Sequence, residues 1–116
     1  KVVVEFEREV SDEELERIEE NLRDIKVRQQ TPLRVLHRRA DLIREKYIYE
    51  TKVRRLSKNK AEIKIRCQGG LYIKELVTGD EGRTKPNISE MIGIKAVPLE
   101  LDVLNVYMKD RRSVKK

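Results

Sequence analysis

The sequence predicts an α+β domain built around a mostly antiparallel or mixed sheet with a few flanking helices. Three observations carry that prediction. Alternating and β-branched segments recur along the chain, as in V-V-V-E-F-E and K-A-E-I-K-I-R-C. One amphipathic helix with a strong start signal stands near the beginning, and short helix-compatible runs that end in glycine follow the strands. A length of 116 residues makes one domain or part of one, residues 1–116, with material for a single core and not for two.

Val2–Glu9 reads as a strand from its β-branched run. Ser11 with Glu14 forms a capping box, and Asp12 and Glu13 suit the positive end of a helix. Leu15, Ile18, Leu22 and Ile25 then recur at helical spacing, which predicts a helix over Asp12–Asp24. Gln29-Gln30-Thr31-Pro32 ends it, because the ring of Pro32 disfavours helical backbone at Thr31. Leu42–Leu56 alternates loosely and predicts one or two strands. Ser57–Lys60 reads as a hairpin turn into the clean alternation of Ala61–Gln68. Leu71–Val77 is helix-compatible, with Gly79 as its stop. Asn87 or Ser89 caps a short helix through Met91 and Ile92, ended by Gly93. Leu99–Met108 predicts a closing strand, and Asp110–Lys116 a frayed basic tail. No internal repeat is visible.

Charged residues make up 41% of the chain, with a formal net charge of +6. The excess is uneven: Lys1–Asp24 is rich in acid, and Lys26–Arg66 is strongly basic. A regional basic field suits a nucleic acid, since neutralised phosphates release counterions; a solvated, charge-rich surface is the other account of it. Cys67 is the only cysteine, which excludes a disulfide within the chain and a cysteine-based metal site. It shares a strand face with Ile63 and Ile65 and reads as a small buried hydrophobe. His37 is the only histidine, so no pair of histidines can hold a metal, and no metal ligand is assigned. No apolar run reaches membrane-spanning length and no signal peptide is evident. The expectation is a cytoplasmic protein without a membrane partner. The chain opens on Lys1 and enters strand-like sequence at once, which predicts a piece of something longer.

Two segments stand out chemically. Gly69–Asn87 reads G-G-L-Y-I-K-E-L-V-T-G-D-E-G-R-T-K-P-N. Strand periodicity gives way to helical periodicity directly after the glycine pair, a corner at which Tyr72 and Lys74 can border a cleft. Tyr72 either lies beside a splayed base or caps the core, and Lys74 can pair with a buried carboxylate. The following loop lacks G-x-x-x-x-G-K-[ST] and is no Walker A motif. Arg83, Thr84, Lys85 and Asn87 offer donors to RNA phosphates, or Asp80 and Arg83 only brace the loop. The second segment, T-P-L-R-V-L-H-R-R, gathers Arg34, His37, Arg38 and Arg39 within Thr31–Arg39.

G-G-L-Y-I-K-E-L resembles the G-T-Y-I-R-x-L signature of pseudouridine synthases. Taken in order, Q-Q-T-P-L-R-V-L-H-R-R, G-L-Y-I-K-E, G-D-E-G-R-T-K-P-N-I and L-E-L-D-V are similar to the C-terminal part of the archaeal and eukaryotic tRNA pseudouridine synthases that modify the TψC arm. The similarity covers most of Gln29–Val106. The resemblance implies half of a pseudouridine synthase catalytic domain, tRNA as partner, and isomerisation of uridine without cofactor or metal: cleavage of the glycosidic bond, rotation of the base and reattachment through carbon. The family's nucleophile is an aspartate in a motif like G-R-E-D-x-D. None of Asp12, Asp24, Asp41, Asp80, Asp102 and Asp110 stands in such a setting. The resemblance therefore implies that the aspartate and a general-base tyrosine lie in a missing N-terminal part of the same protein, the tyrosine just before Lys1. No catalytic residue falls within the chain. Tyr72 would support the pocket wall and Lys74, where many relatives carry arginine, would orient the aspartate. The RNA-facing set is Arg34, His37, Arg38, Arg39, Tyr72, Arg83, Thr84, Lys85 and Asn87. Two rival readings stand beside this one: a non-catalytic RNA-binding domain on the same scaffold, and a structural domain whose basic face is merely solvated.

Overall fold

The computed structural model describes residues 1–102. Its chain order is β1 (Val2–Phe6), α1 (Asp12–Asn21), β2 (Ile25–Gln30), β3 (Ile43–Ser57), β4 (Lys60–Cys67), α2 (Ile73–Thr78), β5 (Thr84–Lys85), α3 (Ile88–Ile92) and β6 (Ala96–Leu101). Short 3₁₀ turns sit at Leu33–Val35 and Asp80–Gly82. The strands form one sheet in the order β5-β2-β3-β4-β1-β6, and every neighbouring pair is antiparallel. The sheet curls enough for both edge strands to touch α2. The three helices contribute Leu15, Ile18, Leu76, Val77, Ile88 and Ile92 to a core shared with Val2, Val4, Phe6, Val27, Ile48, Ala61 and Ile63 from the strands. The α+β expectation holds, and the sheet is antiparallel throughout. No helix among the described residues is long and apolar enough to cross a membrane.

The capping box at the start of α1 is complete: the Glu14 amide donates to Ser11 Oγ at 3.1 Å, and the Ser11 amide donates to Glu14 Oε1 at 2.9 Å. The helix is shorter than its apolar spacing predicts. It ends at Asn21, Leu22 closes it with a bond to the Ile18 carbonyl, and Asp24 takes a φ of 59°. Ile25 belongs instead to β2, a six-residue strand that the sequence reading absorbed into the helix and the break after it. Leu22 and Ile25 fit a helical repeat by spacing, but Val27 and Gln29 point inward while Lys26 and Arg28 are exposed, and that is a strand's period of two. β2 lies inside the sheet, paired with both β3 and β5.

β1 stops at Phe6, before the predicted Glu9. Leu42–Leu56 resolves into one long strand whose register shifts at Ile48/Glu50 and at Arg55/Ser57; the first shift lets Ile48 and Thr51, three apart, both face inward, and it accounts for the loose alternation. The hairpin turn between β3 and β4 falls at Lys58–Asn59, as predicted. Gly79 and Gly93 close α2 and α3 with φ of 88° and 70°. Asn87, not Ser89, caps α3, accepting the Glu90 amide at 2.8 Å; Ser89 Oγ instead donates to the Val77 carbonyl at 2.9 Å. β6 starts at Ala96, earlier than Leu99, and carries Pro98 on an edge strand where a missing amide is tolerated. The far end of the predicted closing strand and the basic tail lie outside the described residues. Cys67 is half-buried against the core beside Ile65, and loss of hydration pushes its thiol pKa up.

Candidate nucleic-acid interface

The glycine corner is held by a residue from β2. Gln29, 2% exposed, donates from Nε2 to the Tyr72 carbonyl at 2.9 Å and to Thr84 Oγ1 at 3.3 Å, and its Oε1 accepts the Tyr72 amide at 2.9 Å. One side-chain amide therefore fixes both the start of α2 and the strand β5. Gly70 precedes the corner with a φ of 90°, and a methyl group there would lie 3.3 Å from Lys46 Nζ. Lys46 thus runs directly beneath the turn. Neither Gln29 nor Lys46 was among the predicted site residues. Gln29 could be recognised only once β2 was recognised, because its inward position follows from the strand's period.

The basic segment 31–42 forms a loop tied at its base. The Thr31 amide donates to the Leu42 carbonyl at 2.9 Å, the Leu42 amide donates to Thr31 Oγ1 at 3.0 Å, and that hydroxyl donates to the Ala40 carbonyl at 2.7 Å. Arg83 reinforces the same point: Nε and Nη2 donate to the Thr31 carbonyl at 3.2 and 3.0 Å, and Nη2 reaches Asp41 at 2.6 Å. Asp80 accepts the Leu33 amide at 3.1 Å and lies 3.9 Å from Arg83. Arg34 aims its fork at the buried carboxylate of Glu75, with contacts of 2.8 and 3.3 Å. That contact makes the guanidinium hold its proton more firmly than usual.

These bonds divide the predicted site residues into two groups. Arg34, Arg83, Thr84 and Asn87 are engaged inside the protein. Thr84 is wholly buried, and its amide donates to the Gly79 carbonyl at 3.2 Å; Asn87 caps α3 and donates from Nδ2 to the Thr84 carbonyl at 2.9 Å. For Asp80 and Arg83 the bracing account describes the contacts. His37, Arg38, Arg39, Lys74 and Lys85 are exposed, and none forms an ion pair among the described residues. Tyr72 is half-buried at the corner. The acids Asp41, Glu75 and Asp80 are spent on Arg34 and Arg83, so the uncompensated charge sits at the loop tip, the corner and β5. Such an arrangement attracts anions and positions them along a rigid support.

A family model described as "Pus10, C-terminal" matches residues 1–107. The chain is 44% identical over 107 residues to the tRNA pseudouridine synthase Pus10 of Methanocaldococcus jannaschii, covering 92% of this chain and 24% of that protein. It is 46% identical over 109 residues to the protein of the same name from Korarchaeum cryptofilum, covering 94% and 29%. With that from Pyrococcus furiosus it shares 41% identity over 97 residues, covering 84% and 25%. The chain therefore spans about a quarter of the length of these curated relatives. It belongs to the Pus10 C-terminal family.

Proposed function

We propose that this chain is the C-terminal part of the catalytic domain of a tRNA pseudouridine synthase, acting in the cytoplasm on a uridine of the TψC arm. Its partners are tRNA and the N-terminal part of the same protein, which brings the nucleophilic aspartate and the general-base tyrosine. The target uridine leaves its stack, the aspartate attacks, and the detached base turns and rejoins the ribose through carbon. His37, Arg38 and Arg39 at the loop tip, with Lys85, hold phosphates. Tyr72 lines the pocket, and Lys74 pairs with the incoming aspartate and keeps it ionised. Arg34, Arg83, Thr84 and Asn87 serve the site from beneath by fixing the loop and the corner.

The observation that carries the reading is the state of Lys74. It stands in the first turn of α2, where a helix dipole disfavours a cation. It has no acid partner among the described residues, while the adjacent Glu75 is already neutralised by Arg34. A lysine so placed is available to a carboxylate from elsewhere. The test compares two substitutions in the full-length enzyme by single-turnover kinetics. Lys74→Met should slow the chemical step by about 30- to 1000-fold at saturating tRNA, as expected for a lost charge-assisted contact in a dry pocket, with affinity unchanged. Arg38→Ala with Arg39→Ala should weaken tRNA binding and flatten its salt dependence while leaving the saturating rate intact. A Lys74→Met enzyme that binds weakly but turns over normally would assign Lys74 to RNA contact and end the proposed pairing.

A further inference from the structure

The helices cover one face of the sheet and leave the other open. On the open face, Arg28 of β2 stands opposite Lys85 of β5, and Lys52 of β3 opposite Lys64 of β4. All four are exposed, and none is in an ion pair among the described residues. Glu45 faces Arg28 from β3 without pairing to it. Like charges directly opposite on antiparallel strands destabilise the pair. Two such pairs on one face give an anion laid across them a favourable place.

Between the two pairs sits an aromatic cluster. The rings of Tyr47 and Tyr49 are 5.0 Å apart at 57°, and the Tyr47 hydroxyl is anchored on Asp24. Two residues apart on β3, Tyr47 and Tyr49 share this face, as alternate residues of a strand do. Tyr49 is 41% exposed. The Arg66 guanidinium lies over its ring, 5.3 Å from the centroid, with Glu50 at 3.9 Å from Arg66. The outermost surface is thus a guanidinium backed by an aromatic ring, a layer on which an unpaired base stacks. From β5 to β4 the face crosses three strand spacings, about 14 Å, with cations on both sides of the stack. An acidic protein would satisfy the lysines but would have no use for the Tyr49–Arg66 layer.

We propose that the open face of the sheet is a second RNA-binding surface, on which an unpaired nucleotide stacks against Arg66 and Tyr49 while Arg28, Lys52 and Lys64 hold the flanking phosphates. The proposal rests on the RNA reading above but concerns the opposite side of the sheet from the helices. The test uses the full chain with a short fluorescent oligouridine and, separately, a tRNA transcript. Tyr49→Leu should weaken oligouridine binding by about 5- to 100-fold, and Tyr49→Phe should bind as the wild type does. Arg66→Lys should also lose affinity although it keeps the charge, because the planar layer is gone. Lys52→Gln with Lys64→Gln should lower the slope of log affinity against log salt by about 1.4. That pair should leave the thermal midpoint unchanged or raised, since the repulsion is relieved.

Wild-type affinity in both Tyr49→Leu and Arg66→Lys would overturn the proposal. So would a loss in Tyr49→Leu that Tyr49→Phe shares, or self-association in light scattering that the lysine substitutions abolish. Arg38→Ala with Arg39→Ala is run alongside. If it weakens tRNA binding while the open-face variants do not, only the second surface fails. If neither set matters, the RNA reading itself fails.

Discussion

Removing Arg34 should cost stability before it costs RNA binding. Glu75 is 5% exposed, and its two carboxylate oxygens take the Arg34 fork at 2.8 and 3.3 Å. Arg34→Met keeps most of the apolar stem and strips the charge, which leaves a buried carboxylate unpaired. Breaking a fully buried ion pair from one side costs about 3–5 kcal/mol. Here the Arg34 side chain is 50% exposed, so water reaches the vacated position and screens part of the loss. The expected cost is about 2 kcal/mol, which for a domain of this size lowers the thermal midpoint by roughly 8–16 °C. Differential scanning calorimetry measures it directly. Adding Glu75→Leu to Arg34→Met removes the stranded charge, and the double variant should be more stable than Arg34→Met alone. Binding of tRNA by Arg34→Met, measured well below its midpoint, should fall less than in Arg38→Ala with Arg39→Ala. A midpoint equal to wild type together with a sharp drop in RNA affinity would refute the reasoning and return Arg34 to the RNA-contacting set.

Two further outcomes concern the frame beneath the site. Hydrogen bonds from Arg8 and from the Ser11 backbone hold the Glu14 carboxyl at about 2, below its ordinary 4.5. A carboxylate whose pKa falls on folding stabilises the protein above its unfolded value and loses that contribution as pH drops through the folded one. The advantage of wild type over Glu14→Gln in urea unfolding should therefore shrink from about pH 4.5 and vanish near pH 2. At Gly79, a methyl group would lie 2.7 Å from Asn87 Nδ2 on a backbone with φ of 88°, so Gly79→Ala strains the turn and displaces the cap of α3. The expected cost is about 2 kcal/mol. Gly82→Ala, with φ of 87° but open space around the new atom, should cost about half that, the difference appearing in urea midpoints at equal m.

Periodicity and punctuation made most of the fold legible. The capping box of α1, the Lys58–Asn59 turn and the glycine stops after α2 and α3 depend on local chemistry, and each lies where local chemistry puts it. β2 escaped because Ile25 satisfied two periods at once, and only pairing with β3 and β5, distant in the chain, decides between them. The candidate site divided on the same line. Arg38, Arg39, Lys74 and Lys85 are exposed cations. Arg34, Arg83, Thr84 and Asn87 look the same in sequence, yet each is bonded within the protein: Arg34 to Glu75, Arg83 to Thr31 and Asp41, Thr84 to Gln29, and Asn87 to Thr84. Which cation meets an acid depends on strand order, and no local pattern encodes that.

The tied base of segment 31–42 also bears on how quickly and how tightly a ligand is held. An untethered loop must surrender roughly 1–2 kcal/mol of backbone entropy per residue when a partner immobilises it. The ten residues between Thr31 and Leu42 have met much of that cost during folding, through Thr31, Arg83 and Arg34. What remains at an encounter is the ordering of a few side chains, about 0.5–1.5 kcal/mol each. Engagement at the tip should then proceed without a slow rearrangement step. Loosening the knot, as in Thr31→Val, should show up as faster dissociation with the electrostatically steered association rate almost untouched.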